Sequence, residues 1–257
     1  MKKIHLIIIS VIILIATVVI IKGLESRNRL IHWPATDDGS GIPSSGRFEE
    51  ARNRVKPRLI KDLASKKLHF GSPIFIRIFK KEKVLELWIK QSQTYRLFRV
   101  YPICYYSGKL GPKYQEGDKQ SPEGFYYVRG NRMNPWSRFH LSFNIGFPNT
   151  YDRAHGRTGS FIMVHGDCVS IGCYAMTDKK MEEIYILADA ALRQGQSFFR
   201  VHIFPFRMSR ANMDKYRDSI NIAFWKNLRE GYLHFEKKKV PPNVKVKNKR
   251  YIFTDSK

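Results

Sequence analysis

From Pro73 to Phe204 the chain sets down one short apolar run after another, and this series constrains the fold more than any other feature. "PIFIRIFK", "KVLELWIK" and "TYRLFRVYPIC" are rich in β-branched and aromatic residues and alternate in part between apolar and polar. Charged or polar turns separate them, and "GFYYVRG", "RFHLSFNIGF", "SFIMVHG" and "SFFRVHIFPF" continue the series. The pattern predicts a sheet-rich core. Two helices accompany it. Thr177 and Asp178 read as an N-cap and a first-turn acid, followed by Met181, Ile184, Tyr185, Ala188 and Leu192 at helical spacing up to about Gly195. A second helix is expected from Ser209 or Asn212 to Glu230, with Met213, Tyr216, Ile220, Phe224 and Leu228 on its apolar face. The fold class is therefore mostly β with flanking helices, α+β.

The flanks divide the chain further. Residues 1–24 hold an apolar run, Ile4 to Ile21, broken only by His5, Ser10 and Thr17. Its length approaches that of a bilayer's hydrocarbon core, and no convincing A-x-A site follows. It reads as an uncleaved signal anchor, with a cleaved signal peptide as the alternative; Lys22, Arg27 and Arg29 on its far flank weaken the charge argument for orientation. Residues 25–72 form a turn-rich linker and a helical extension, "GRFEEARNRVKPRLIKDLASKK", expected to be interrupted near Pro57. The core domain spans 73–206 and the C-terminal helix 207–236. The basic tail 237–257 is low in apolar residues and is expected to be a solvated extension.

Charge and cysteine content bear on location and chemistry. Lys and Arg number 46 against 22 Asp and Glu, a net charge of +24, which suits a polyanionic partner. An exported chain meets anionic lipid and envelope polymers rather than nucleic acid, so no nucleic-acid partner is expected and a periplasmic, membrane-held location is. Three cysteines, Cys104, Cys168 and Cys173, are too few for a disulfide scaffold and leave at least one thiol free or paired with another molecule.

Two of them lie in "FIMVHGDCVSIGCYAMTD", Phe161 to Asp178, which admits three readings. As core residues, cysteines are small buried hydrophobes. That suits Cys104, but not Cys173, which follows Gly172 and lies close to Ser170. As a metal site, His165, Cys168 and Cys173 would bind zinc with His155 as the nearest fourth ligand, at a C-x4-C spacing on the wide side. As a nucleophile site, the strand "SFIMV" delivers His165 as base and the loop folds back to bring Cys173 to it. The amides near Gly172 and Cys173 would then receive an oxyanion, and the helix opening at Thr177 would lower the thiol pKa.

These residues resemble the YkuD-type L,D-transpeptidase catalytic domain. "MVHG" followed by "SIGC" matches its strand ending in His-Gly and its Ser/Thr-x-Gly-Cys loop, and "SPEGFYYV", Ser121 to Val128, is similar to its T-P-x-G-x-F element. Only seven residues separate His165 from Cys173. Ile171 replaces a common histidine, and Tyr174-Ala175 stands where Ile/Val-Arg is typical. These departures, with "YDRAHGRTGS" upstream, are similar to the YafK-like subgroup. The resemblance implies a β-sandwich or barrel core and cysteine-dependent acyl transfer on peptidoglycan stem peptides. The acyl-enzyme at diaminopimelate is resolved by an amine or by water, and in the subgroup water detaches an envelope lipoprotein. It implies a catalytic set of Cys173, His165, Ser170 and the Gly172 backbone, without metal or cofactor. Arg153, His155, Arg157 and Tyr174 are candidates for substrate binding, with His155, eighteen residues before Cys173, as the rival base. Cys168 is a structural or spare thiol and His202 a sheet residue. The rival reading from another class is a non-catalytic, membrane-tethered wall-binding protein.

Overall fold

The computed structural model describes residues 41–256; the apolar run Ile4–Ile21 and most of the linker lie outside the described residues. Among those described, no helix is long and apolar enough to cross a membrane.

The first helix, α1 (Gly46–Ser65), is capped by Ser45, whose side chain accepts from the Phe48 N–H at 3.3 Å. Phe48, Ala51, Val55, Leu59 and Leu63 form its buried stripe. The expected interruption at Pro57 does not occur. Pro57 sits on the solvent face and Asn53, whose carbonyl loses a partner to the proline, is exposed too, so water can serve that carbonyl.

Two five-stranded sheets follow. The first is built from β1 (Ile74–Phe79), β2 (Val84–Gln91), β3 (Thr94–Pro102), β5 (Gly124–Val128) and β10 (Phe199–Phe204), in the order β3-β2-β1-β10-β5. Only the β1–β10 pair is parallel. The second joins β4 (Tyr105–Tyr106), β6 (Met133–Asn134), β7 (Ser142–Asn144), β8 (Met163–His165) and β9 (Tyr174–Ala175), in the order β4-β9-β8-β7-β6, with β8 and β9 parallel. Between β7 and β8 lies the short helix α2 (Thr150–Ala154). Helix α3 (Asp178–Arg193) contacts β1 of the first sheet, β7 and β8 of the second, and α1. It is buried from Met181 to Leu192, so one core cluster joins both sheets through it. The architecture is α+β.

The C-terminal region departs from expectation twice. The single amphipathic helix is two, α4 (Arg210–Lys215) and α5 (Ile222–Lys238), and Ile220, assigned to its apolar face, is 96% exposed in the turn between them. The tail is an ordered hairpin, β11 (Asn243–Lys247) and β12 (Arg250–Thr254). Its anchor is Tyr251, buried and stacked on Tyr151 at 4.2 Å, with its backbone exchanging hydrogen bonds with the Asn227 amide at 2.8 and 2.9 Å. Gly231 of α5 makes this docking possible: a β-carbon there would come within 2.4 Å of Phe253 and 2.6 Å of Phe125.

Candidate active site

β8 ends on His165, and β9 lies parallel to it with Val164 opposite Tyr174 and His165 opposite Ala175. Extending the register by one residue sets Cys173 opposite Met163. Alternate residues of a strand, and residues paired across strands, share a face. Met163, His165 and Cys173 therefore stand on one face, and Val164 and Tyr174 on the other. Val164 and Tyr174 are enclosed in the core, Met163 and Cys173 are half-buried, and His165 is 1% exposed. The sulfur's contact with the Met163 N–H at 3.3 Å places Cys173 against β8, two residues before His165.

His165 has a fixed tautomer. Its Nδ1 lies 2.6 Å from the Gly166 carbonyl, which can only accept, so Nδ1 carries the proton and Nε2 keeps its lone pair. The Phe139 ring packs against the imidazole with centroids 4.7 Å apart. Burial pushes the His165 pKa below its usual 6.5, opposed by the Gly166 carbonyl and Asp167. Cys173 Sγ accepts from the Met163 N–H at 3.3 Å and approaches the Phe161 carbonyl at 3.8 Å; among the described residues it makes no hydrogen bond to the imidazole. Burial pushes its pKa above the usual 9.0, against the pull of the Met163 N–H and Lys113. The expected lowering of the thiol pKa by the helix end is thus corrected. Both groups favour their neutral forms, and the pair is a thiol beside an imidazole rather than a preformed ion pair.

The connecting loop is pinned from several sides. The Ser170 and Ser121 hydroxyls both donate to the Cys173 carbonyl, at 2.8 and 3.0 Å. Gly172 has φ +147°, a conformation that favours glycine, and its N–H donates to Ser170 Oγ at 3.1 Å. That amide is committed within the loop and is not free for the oxyanion expected at Gly172, whereas no described residue accepts from the Cys173 N–H. The Asp178 carboxylate accepts from the Asp167 N–H at 2.7 Å, and the Asp167 carbonyl accepts from the Thr177 N–H at 2.8 Å. Thr177 holds the N-cap position of α3 without a side-chain cap bond.

Cys104 and Cys168 form a disulfide across 64 residues of sequence, leaving Cys173 as the free thiol. Cys104 is thus not the lone core thiol expected, and Cys168, expected as a structural or spare thiol, is structural as half of a bridge. The bridge ties the nucleophile loop to the start of β4, where the Cys104 N–H also donates to the Ala175 carbonyl at 2.8 Å. With its sulfur so bonded, Cys168 has no thiolate to join His165 and Cys173 as a zinc ligand.

The residues assigned to substrate binding separate. Tyr174 points into the core, its hydroxyl donating to the Pro122 carbonyl at 2.7 Å. Arg157 is 7% exposed and paired with Asp152 at 2.8 Å, its guanidinium 4.9 Å from the Phe224 ring centroid. Both are structural. His155 closes α2, with Nδ1 against the Tyr151 carbonyl at 2.9 Å and its ring stacked on Tyr151 at 4.1 Å. It makes no contact with the thiol. Arg153 is exposed and lines a cavity of about 1040 Å³ that reaches Phe161, the residue whose carbonyl faces the sulfur. His202 is a sheet residue, 1% exposed in β10. Sequence reasoning gave no role to Ser121, whose place in "SPEG" was a signal, or to Lys113, a buried cation paired with Asp118.

Residues 73–203 match the YkuD family model, described as the L,D-transpeptidase catalytic domain. Over 182 residues the chain is 51% identical to the "Putative L,D-transpeptidase YafK" of Escherichia coli strain K12, covering 71% of this chain and 74% of that one. The O157:H7 strain's protein of that description gives the same figures. Among solved structures, the helical cell shape determining protein Pgp2 (K307A mutant) of Campylobacter jejuni overlaps with a TM-score of 0.44 at 20% identity. That alignment covers 63% of this chain and 56% of the other, too loose a match to carry an argument.

Proposed function

The chain belongs to the YkuD family of L,D-transpeptidase catalytic domains, an acyltransferase family acting on peptidoglycan, and on that premise we propose that Cys173 and His165 carry its reaction. Nε2 of neutral His165 takes the thiol proton as Sγ attacks the carbonyl carbon at the L-centre of a diaminopimelate residue. The oxyanion turns towards the Cys173 N–H, supported by the loop that Ser170 and Ser121 hold. The imidazolium returns its proton to the departing amine, that of the D-amino acid or, where an envelope lipoprotein is joined to the diaminopimelate, that of the lipoprotein, which leaves a thioester on Cys173. An amine, or water, then gives up a proton to His165 and attacks the thioester, releasing the product and restoring the thiol.

The observations that support this reading are the contact of the Cys173 sulfur with Met163, on the strand that ends at His165, and the hydrogen bond that leaves Nε2 as the acceptor. Of the two acceptors we favour water, so that the enzyme detaches envelope lipoprotein from diaminopimelate. Ala175, fully buried, puts no guanidinium beside the nucleophile, where the wider family's pattern has an arginine to orient a substrate. We place the enzyme at the outer face of the inner membrane, held by the run Ile4–Ile21. A disulfide persists in oxidising compartments, and Cys104–Cys168 supports that location.

The test is mass spectrometry after incubation with a carbapenem, a strained acyl donor. An adduct that disappears in Cys173→Ala supports the nucleophile. Its absence from the unaltered chain favours a non-catalytic wall-binding protein. Comparing His165→Ala with His155→Ala assigns the base, and a greater loss at His155 overturns the assignment. Muropeptide analysis with and without active protein distinguishes new crosslinks from loss of lipoprotein-linked peptides.

A further inference from the structure

The cavity beside Phe161 gathers five cationic side chains, Arg129, Arg132, Arg153, Arg200 and Lys245, in one lining. Several arginines elsewhere meet carboxylates, as Arg77 does Glu86, Arg99 Asp62, Arg157 Asp152 and Arg193 Asp189, while Arg47, Arg96 and Arg229, scattered over other parts of the chain, meet neutral oxygens. Those lining the cavity meet only neutral groups. Arg132 donates to the Tyr127 carbonyl at 2.8 Å, Arg200 to Asn243 Oδ1 at 2.6 Å, and Arg153 to the Pro148 carbonyl and the Thr150 hydroxyl. Arg129 lies 5.7 Å from the Tyr127 ring centroid, and Lys245 of β11 is exposed without an acidic partner among the described residues. Asp255, the acid in the lining, is taken by Lys238 and His234 of α5. Unmatched cations gathered around one concavity repel one another, and a bound anion relieves that cost.

Three further observations define the ligand. His202, nine-tenths buried and more, lines the cavity with an Nδ1 that has no hydrogen-bond partner. Tyr127 and Phe198, edge to face at 5.5 Å, and the exposed Phe161 give it aromatic walls fit for an organic chain. β5 borders it as an edge strand, but its Phe125 and Tyr127 carbonyls already accept from Asn149 and Arg132, so a ligand is held by side chains and not by strand addition. The hairpin β11–β12 forms part of the wall and lies beyond the residues matched by the family model.

We propose that this groove recognises the carboxylate-bearing part of a stem peptide remote from the scissile bond, that Arg129, Arg132, Arg200 and Lys245 read its carboxylates, and that the C-terminal hairpin serves as a specificity wall. The proposal rests on the peptidoglycan reading above. The guanidinium fork suits a carboxylate, and the cavity's reach to Phe161 connects the groove to the nucleophile. Binding energy gathered there helps to place the reacting carbonyl against Sγ.

The experiment measures equilibrium binding of a stem tetrapeptide, and of the same peptide with its carboxyls amidated, to the full-length Cys173→Ala protein. It is repeated with Arg129→Gln and Lys245→Gln added, two exposed residues that hold no structural carboxylate. Amidation and the double substitution are each expected to weaken binding about tenfold and, applied together, to fall short of a hundredfold, as coupled losses do. Equal binding by the two peptides, or by the two proteins, overturns the proposal. So does binding of phosphatidylglycerol vesicles, but not the peptide, in a manner lost on substitution; the groove is then a lipid-facing surface. The carbapenem adduct on the unaltered chain is scored in parallel. If it forms while the groove variants bind normally, the groove proposal alone fails, whereas its absence removes the nucleophile reading whatever the groove does.

Discussion

The sheet β3-β2-β1-β10-β5 and the sheet β4-β9-β8-β7-β6 each have five strands, and they are held together by opposite means. In the first, β1 is buried over all six of its residues and its ladders with β2 and β10 run for five or six residue pairs. It also encloses charge. Arg77 is 2% exposed and pairs with Glu86 at 2.8 Å and Glu236 at 2.6 Å, while Lys80 lies 3.1 Å from Glu123 with both fully buried. In the second, the strands are two or three residues long. Its restraints around Cys173 are a disulfide, two serine hydroxyls on the Cys173 carbonyl and the Asp178 carboxylate on the Asp167 N–H. The difference follows from what each sheet must do. A fixed ion pair braces a framework, whereas the His165 of the proposed mechanism must gain and lose a proton, and it is oriented by the neutral Gly166 carbonyl. The site is therefore held by its backbone, and His165 and Cys173 are left neutral.

Paired substitutions break the comparison most sharply. Cys173→Ala is expected to abolish acylation, a loss of at least about a thousandfold, with little change in melting temperature. Arg77→Met is expected to cost about 3 kcal/mol of stability, the low end for a broken buried pair, because Glu86 and Glu236 lose a buried cation but keep Arg207 and Lys239. The fraction that stays folded still acylates. Calorimetry and adduct formation, measured on both proteins, check this; a large fall in melting temperature for Cys173→Ala gives the thiol a structural role instead. Removing the disulfide with Cys104→Ser and Cys168→Ser should fall between the two extremes, costing about 2–4 kcal/mol and slowing acylation as well, since the bridge constrains the nucleophile loop. Unchanged acylation in that variant makes the serines and Asp178 sufficient.

This contrast also explains which parts were legible in the sequence. Every quoted β run holds a strand of three or more residues, because alternation and β-branching report burial directly. Two-residue strands such as β4 and β9 carry no period, and only their pairing brings Cys104 to Cys168. The hairpin was readable in "VKVKNKRYIF": Asn248 and Lys249 both have positive φ, as a two-residue turn requires, but the weight of lysine concealed the alternation. The merged helix failed because Ile220 fits the period while lying in a turn. At the site, the order of His165, Ser170 and Cys173 was visible. The burial that raises the thiol pKa was not, since it depends on neighbours such as Met163 and Phe161 whose approach is tertiary.

The pH profile sharpens the claim that the site rests in its neutral form. His165 must be unprotonated to act as base, and its pKa lies below 6.5, so acylation should fall as pH drops through a value below 6.5. The Cys173 pKa lies above 9.0, so thiolate alone would give a rate still climbing past pH 9. With the imidazole as base, the rate instead levels once His165 is neutral and stays flat up to about the thiol pKa. Rates measured from pH 5 to 10 separate the two. A rise continuing to pH 9 and beyond removes His165 from proton transfer.

The smallest expected effect tests whether the second sheet's polar pins act on the chemistry or only on the fold. Ser170 and Ser121 each donate to the Cys173 carbonyl, and a neutral hydrogen bond is worth about 1 kcal/mol net. Ser121→Ala also takes an acceptor from the buried Ser107 N–H, at 3.2 Å, so its cost should fall mainly on stability. Ser170→Ala frees the N–H of the buried Gly172 in its loop, but Ser170 itself is half-buried between the exposed Val169 and Ile171, so water can enter where the hydroxyl was and the stability cost should be smaller. Its cost in acylation should be the larger of the two, because that loop aims the Cys173 N–H at the oxyanion. Melting temperature and adduct rate for both variants give the answer. Should Ser170→Ala acylate at the parental rate, the disulfide alone holds the nucleophile in register, and the hydroxyl belongs to the framework as the buried ions of the first sheet do.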